Sequence, residues 1–258
     1  MTPIRYGLYR LLCAWLILTA LSSNSCERNP QGPDNLPAEL LQSVLEAYRD
    51  SVDGILGTAV YIDYAGYESW AGAAGYFDST LTRPLEVDDQ FRIGSVNKTF
   101  TATLILQLWE EDLIELDRVL SHYLPSDVAA LLDSIPYANT VTVRQALMHR
   151  SGLYNYVRSW PLLESVYQDP GRYRSVLEVL RIVRDAGSPD FAPGMNFRYS
   201  NTNYLLLGVV IEQVTGQSYS DVLDERICQR LGLSYTFMPA GPLLGTSENL
   251  AHGYEDAV

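Results

Sequence analysis

Residues 91–110 have the sequence FRIGSVNKTFTATLILQLWE, which joins a run of strand-forming residues to a glycine and then to an apolar helical pattern. We predict a strand over Phe91–Ile93, a turn at Gly94 and a helix over Thr99–Glu110. Ser95 would then lie at the N-terminus of this helix, where unpaired backbone N–H groups and the helix dipole favour a developing negative charge. The stretch therefore predicts a reactive serine held at a helix N-terminus.

The same stretch contains Lys98, the only lysine of the chain, while arginine supplies the other basic side chains. Arginine cannot lose its proton in a protein, whereas a lysine in a dry pocket can become a neutral amine and act as a base. Lys98 stands three positions after Ser95, so hydroxyl and amine would lie one helical turn apart on the same face. The pattern indicates a serine activated by an amine, although the same spacing also occurs by chance around solubilising surface lysines.

Composition limits the classes of function. The chain has 258 residues, 47% hydrophobic and 19% charged, which is typical of a globular protein with one large domain or two small ones. A net charge of −13 without any basic cluster in the sequence argues against a nucleic-acid partner. Three cysteines and three histidines are too few for a disulfide framework or a His-rich metal site, so we expect neither a metal nor a cofactor.

The first 26 residues have the layout of an export signal. Arg5 and Arg10 precede an apolar run over residues 11–21, which is too short to cross a membrane comfortably, and polar residues then lead to Cys26. A bacterial lipoprotein is cut and acylated at such a cysteine, but the residues before Cys26 match that signal poorly, so lipid anchoring and simple secretion both stay open. We expect an exported protein, periplasmic or at the cell surface.

Residues 27–37 are rich in proline and polar side chains and predict a flexible tether, and residues 38–258 then form one domain. The domain begins with an amphipathic helix over Ala38–Val52. A β-hairpin follows, with strands over Gly57–Tyr64 and Ser69–Tyr76.

Most of the remaining sequence predicts helices. Asn203–Val214 is apolar nearly all round and ends near Gly216, which indicates a helix buried in the core. A further helix is predicted over Ser220–Arg230, with Cys228 as a small buried hydrophobe. Because an isolated hairpin is marginal in water and no convincing partner strands occur between residues 77 and 240, we expect the strands that complete the sheet to be missing from this chain.

A second candidate for chemistry follows Pro193 and Gly194 and directly precedes the predicted buried helix. Here Tyr199 and Asn201 stand two positions apart. A tyrosine near an ammonium can have a lowered pKa and move protons, and an asparagine can donate to and accept from a substrate amide. In a chain with 18 tyrosines, packing is the commoner role of a single tyrosine.

Three motifs in succession resemble the class C β-lactamase and D-alanyl-D-alanine carboxypeptidase family of penicillin-recognising serine hydrolases. They are FRIGSVNKTFTA at 91–102, LMHRSGL at 147–153 and YSNTNY at 199–204, and the similarity extends over roughly residues 38 to 258. The resemblance implies an α+β, β-lactamase/transpeptidase-like fold, with a helical lobe packed against an antiparallel sheet flanked by helices.

The resemblance also implies roles for the candidate residues. Ser95 would be the acylated nucleophile and its backbone N–H half of the oxyanion hole, and Lys98 would accept the serine proton. Tyr199 would be the partner base that passes a proton to the leaving group, and Asn201 would orient the substrate amide. The expected reaction is hydrolysis of a β-lactam, a D-amino-acid peptide or a small ester through an acyl-enzyme, and the expected partner is a small molecule or peptide, with a peptidoglycan fragment as one source.

The chain departs from the family at its third motif, a Lys-Thr-Gly or His-x-Gly sequence on a C-terminal strand. With Lys98 as the only lysine, no Lys-Thr-Gly exists here, and we assign no catalytic role to His252. Loss of that strand favours the alternative of an inactive or slowly acylated penicillin-binding or cell-wall-sensing module. For His149 we expect a structural role at a helix end.

Three aromatic residues follow His149 in a predicted loop, and two roles stay open for them. They would wall a substrate cleft or pack half-buried against the core. These residues are Tyr154, Tyr156 and Trp160.

Overall fold

The computed structural model of the chain describes residues 37–239 and 250–251. These residues belong to two compact units, one that ends at Asp89 and one that begins at Gln90. Within the described residues, no helix is long and apolar enough to cross a membrane. The predicted export signal with Cys26, nearly all of the tether and His252 lie outside the described residues.

The first unit contains one helix and the predicted hairpin. Helix α1 is Ala38–Ser51, strand β1 is Gly57–Ile62 and strand β2 is Trp70–Gly75. The strands pair antiparallel, with Gly57 opposite Gly75 and Ile62 opposite Trp70. In the described part of the chain this two-stranded sheet is the only one, in line with the absence of further strand signals in the sequence.

The second unit is helical within the described residues, and its helices are α2 Asn97–Glu110, α3 Ser126–Asp133, α4 Val143–Leu147, α5 Trp160–Gln168, α6 Val176–Asp185, α7 Asn201–Thr215, α8 Tyr219–Leu223 and α9 Gln229–Leu231. A π-helical turn, Asp224–Cys228, joins α8 to α9, so the prediction of one helix over Ser220–Arg230 is confirmed in its extent. Capping boxes begin α4 and α6, where side chains satisfy backbone N–H groups that the first helical turn leaves unpaired.

Helix α7 lies in the core of the second unit, as its apolar sequence predicts. Its side chains Leu206, Leu207, Val210 and Ile211 are fully buried. The helix begins at Asn201, two residues earlier than predicted, and ends at Thr215, followed by the C-cap residue Gly216 with φ +69°. The left-handed backbone there costs glycine nothing, so Gly216 ends the helix cleanly.

Helix α2 contributes to the same core through Leu104 and Leu108, which are fully buried. Cys228 is buried and free, as expected. The two helices that flank the candidate site residues are therefore anchored by apolar packing, which gives those residues a rigid support.

The predicted strand over Phe91–Ile93 is wrong. Strand-forming side chains need a neighbouring strand to pair with, and no strand of the described residues pairs with this segment. Ile93 has helical dihedral angles instead, and its carbonyl accepts a hydrogen bond from the N–H of Val96 at 3.1 Å. The chain thus enters a helical turn directly, and the α+β class rests on the hairpin and the helices.

Candidate active site

Ser95 and Lys98 are held together by continuous helical backbone. Ser95 lies in a 3₁₀ turn, Gly94–Val96, which runs directly into α2, and Lys98 is the second residue of that helix. Lys98 Nζ donates a hydrogen bond to Ser95 Oγ at 3.1 Å. Ser95 is exposed and Lys98 half-buried, so the hydroxyl is open to an incoming molecule while the amine approaches it from the protein side.

Tyr199 and Asn201 join the same hydrogen-bond cluster from the start of α7. The Tyr199 hydroxyl donates to Ser95 Oγ at 2.7 Å, and Lys98 Nζ donates to Asn201 Oδ1 at 2.7 Å. The Tyr199 hydroxyl also lies 3.5 Å from Asn201 Oδ1. All four predicted site residues are therefore brought together within the second unit, although their chemical roles stay predictions.

The charge of Lys98 acts on Tyr199. Partial burial alone raises the pKa of the Tyr199 phenol, but its hydrogen bonds with Lys98 and Ser95 and the positive charge of Lys98 outweigh burial and lower that pKa below its ordinary value. A phenol with a lowered pKa, in contact with the serine hydroxyl, accepts and returns a proton more readily than an ordinary tyrosine.

Asn201 is fixed by Asn155, a residue that the sequence analysis did not select. Asn155 Oδ1 accepts hydrogen bonds from the backbone N–H of Asn201 at 3.1 Å and from its side-chain amide at 3.2 Å. Asn155 is buried, and the Asn201 amide is thereby oriented with Oδ1 toward Lys98. Because the two asparagines are 46 residues apart, no local pattern marks the pair.

His149 lies at the end of α4, as predicted, and contacts the site. Its φ is +53°, and its carbonyl accepts a hydrogen bond from the N–H of Arg198 at 2.9 Å. The imidazole does not cap helix carbonyls; Nδ1 instead accepts from the N–H of Ser200 at 3.2 Å. The ring packs on Tyr199 with centroids 4.4 Å apart, a contact that no feature of the sequence indicated.

The first turn of α2 has a second support. The Tyr219 hydroxyl donates to Asn97 Oδ1 at 3.2 Å and shares a hydrogen bond of 2.8 Å with Thr101 Oγ1. Burial raises the pKa of Tyr219 against smaller opposing effects of these hydrogen bonds, so its hydroxyl keeps its proton. Asn97 and Thr101 flank Lys98 in the sequence, and this contact therefore holds the helix that carries it.

The three aromatic residues after His149 have different surroundings. Tyr154 and Tyr156 are half-buried and pack against the core, whereas the side chain of Trp160 is 68% exposed. Burial, with a smaller effect of Tyr199, raises the pKa of Tyr156. Packing accounts for the two tyrosines, and Trp160 is the one with a large free aromatic surface.

The described residues contain no group of three or more His, Cys, Asp or Glu side chains that could hold a metal ion.

Comparison with known proteins places this arrangement among relatives. Residues 42–254 match the family model described as Beta-lactamase. Penicillin-binding protein 4* of Bacillus subtilis (strain 168) is 31% identical over 167 residues, 65% of this chain and 32% of that protein. Esterase EstB of Burkholderia gladioli is 32% identical over 191 residues, 69% of this chain and 46% of the esterase.

Among solved structures, the D-amino acid amidase from Ochrobactrum anthropi SV3 in complex with L-phenylalanine amide has a TM-score of 0.70 and 28% identity. The match covers 85% of this chain and 57% of the amidase chain. The chain thus spans about a third to somewhat over half of the length of these three proteins. Since the family model spans most of the chain, this protein belongs to the Beta-lactamase family.

Proposed function

We propose that this chain is a serine hydrolase that forms an acyl-enzyme on Ser95 and acts on amides or peptides of D-amino acids. The observation that carries the proposal is the contact of Ser95 Oγ with both Lys98 Nζ, at 3.1 Å, and the Tyr199 hydroxyl, at 2.7 Å. An amine and a phenol that both contact one exposed hydroxyl supply the two groups that an activated serine needs for proton transfer. The similarity to a D-amino acid amidase supports this substrate class. The similarity to a penicillin-binding protein and to an esterase makes β-lactams and small esters the competing substrate classes.

In the proposed acylation, Ser95 Oγ attacks the substrate carbonyl carbon and its proton passes to Lys98 Nζ. For this step Lys98 must act as the free amine, with one N–H on Asn201 Oδ1 and its lone pair on Ser95 Oγ, in place of the cation that donates to Ser95 Oγ in the structure. Tyr199 then gives its proton to the leaving nitrogen, and the carbon–nitrogen bond breaks. The acyl group is left as an ester on Ser95.

In the proposed deacylation, a water molecule attacks the ester carbonyl and loses a proton to Tyr199, and the Ser95 oxygen regains its proton as the acid product leaves. The lowered pKa of the Tyr199 phenol suits a group that must both accept and donate. Asn201 would hold the substrate amide through its side chain, since Asn155 and Lys98 fix its orientation.

A labelling experiment tests the proposal. Fluorophosphonate and fluorescent penicillin probes should label the wild-type chain and not Ser95→Ala, while Ser43→Ala, which changes an exposed serine of α1, should be labelled like wild type. Turnover of D-phenylalanine amide, of its L isomer, of a β-lactam and of a nitrophenyl ester would then rank the substrate classes. A folded wild type that neither probe labels would refute the proposal.

The alternative function is a binding module that is acylated but not turned over. Relatives named penicillin-binding protein favour it. The two differ in kinetics: a binding module releases about one equivalent of leaving group per serine and stops, whereas a hydrolase continues after that burst.

We further propose that the protein is exported and that peptidoglycan-derived peptides are among its substrates. The support is the signal-like layout of residues 1–26 and the D-amino-acid chemistry of the related proteins. Mass spectrometry of the protein from its native host would separate simple cleavage of the signal from lipidation at Cys26.

A further inference from the structure

A buried polar cluster lies under the candidate catalytic tyrosine. Its members come from two segments, the end of α4 with the loop after it and the start of α7, and each member is at most 9% exposed. They are His149, Ser151, Asn155, Ser200, Thr202 and Asn203. Buried polar side chains cost free energy unless their hydrogen bonds are satisfied, so such a concentration requires a reason.

One chain of hydrogen bonds in this cluster ends at His149. The N–H of Leu153 donates to Ser151 Oγ at 3.0 Å, and Ser151 Oγ donates to Asn203 Oδ1 at 2.5 Å. The Asn203 side-chain amide lies 3.3 Å from His149 Nδ1, which also accepts from the N–H of Ser200 at 3.2 Å. A backbone N–H can only donate, so Nδ1 must carry a lone pair, and the imidazole proton must sit on Nε2.

The imidazole ring also fixes the phenol of Tyr199. Its centroid lies 4.4 Å from that of Tyr199 and 5.1 Å from that of Tyr204, with interplanar angles of 33° and 35°. Lys98 Nζ lies 5.1 Å from the centroid of the Tyr199 ring. The direction in which the Tyr199 hydroxyl points therefore depends on the position of the imidazole.

We propose that His149 is a positioning residue for Tyr199 that works only as a neutral imidazole, so that its protonation in acid disables the site. This inference rests on the proposed function. A proton on Nδ1 would face the N–H of Ser200 and the amide of Asn203, both of which are donors, and the two hydrogen bonds would become repulsive. Because Ser200 directly follows Tyr199, the backbone that carries the phenol would have to move.

The charges around His149 favour the neutral ring. Burial is the larger cause and the charge of Lys98 the smaller, and together they lower the pKa of His149 against a still smaller, opposing effect of the backbone hydrogen bond with Ser200. The guanidinium of Arg198 pairs with Asp190 at 2.8 Å, and that of Arg150 donates to a backbone carbonyl. The groups in ring contact are the phenols of Tyr199 and Tyr204, and among the contacts described for the imidazole none is with a carboxylate that would hold a second proton.

The first test is the pH dependence of acylation by a fluorophosphonate probe. In wild type, acylation requires two groups to be deprotonated: the base that takes the Ser95 proton, and His149. A plot of the logarithm of the rate against pH should therefore rise with a slope of about 2 at low pH. His149→Asn keeps an acceptor and tolerates the positive φ, but it does not titrate, so the slope should fall to about 1. The effect should be on the rate of acylation and not on probe affinity.

The matched controls are His122→Asn, which changes the other described histidine, and His252→Asn, which changes the remaining one. Both should keep the wild-type slope. An unchanged slope in His149→Asn, or the same change in either control, would overturn the inference.

The second test does not need activity. Nitrogen NMR of the ¹⁵N-histidine-labelled wild-type chain should show His149 at neutral pH with its proton on Nε2, and the carbon resonances of the Tyr199 ring should shift as His149 takes a proton. A proton on Nδ1, or a Tyr199 ring that does not respond, would refute the inference. Absence of labelling at every pH would refute the proposed function instead, and the NMR result would then decide the inference on its own.

Discussion

Removal of the Tyr199 hydroxyl is the perturbation that tests the site most directly. In Tyr199→Phe the ring that packs on His149 at 4.4 Å is kept, and the hydroxyl 2.7 Å from Ser95 Oγ is lost. A group that transfers the proton of a reacting atom contributes about 10²–10⁴-fold in rate, or about 3–5 kcal/mol. The side chain is 40% exposed, so unfolding free energy should change by no more than about 0.5 kcal/mol.

The matched control is Tyr204→Phe, because this phenol contacts the same imidazole but donates to the carbonyl of Leu147 at 3.1 Å. Loss of the Tyr204 hydroxyl should lower the free energy of unfolding by about 1 kcal/mol, the contribution of an ordinary hydrogen bond. The rate of acylation should stay within threefold of wild type. Stopped-flow acylation by a fluorescent penicillin, together with urea denaturation, measures both quantities. Acylation of Tyr199→Phe within threefold of wild type would refute the role given to the phenol.

Three further predictions follow from the same contacts. Lys98→Arg keeps a cation that cannot be deprotonated, so acylation should fall about 10²–10⁴-fold with an unchanged unfolding midpoint, and retained labelling would show that Lys98 acts only through its charge. Asn155→Ala leaves two donors of Asn201 without an acceptor and should cost about 1–3 kcal/mol in urea denaturation, most of which Asn155→Asp should restore. Since folding lowers the pKa of His149, the unfolded chain takes up a proton at a higher pH than the folded chain does. The free energy of unfolding should therefore be highest above pH 6.5, as far as His149 determines it, and should decrease as pH falls toward the folded pKa. In His149→Asn the free energy of unfolding should depend less steeply on pH in this range.

The parts of the fold that were predictable are those with a local signal. The apolar sequence around Leu206 and Ile211 leaves no polar face, so burial of α7 could be predicted without knowing its neighbours. The hairpin was predictable for a similar reason. Phe91–Ile93 shows the limit of this reasoning, because strand-forming residues become a strand only where a partner strand is available.

The residues of the candidate site also differ in whether a local sequence pattern could predict them. Ser95 and Lys98 are three residues apart, so helical geometry alone brings them together. Asn155 and His149 reach their partners across 46 and 54 residues, through hydrogen bonds that produce no periodic pattern in the sequence. A tertiary contact of that kind becomes visible only once the backbone path is known.

The buried polar cluster has a consequence for engineering. Residues 149–155 and 199–203 are joined to each other by hydrogen bonds, whereas α5 and α6, which lie between them in the sequence, supply none of the bonds described for this cluster. If residues 199–203 alone were transferred to another scaffold, polar atoms would therefore be buried without hydrogen-bond partners. Both segments, 149–155 and 199–203, would have to be transferred together. Of the intervening helices, the exposed positions are the place to introduce sequence diversity in a library, because Leu180 and Val183 of α6 belong to the hydrophobic core.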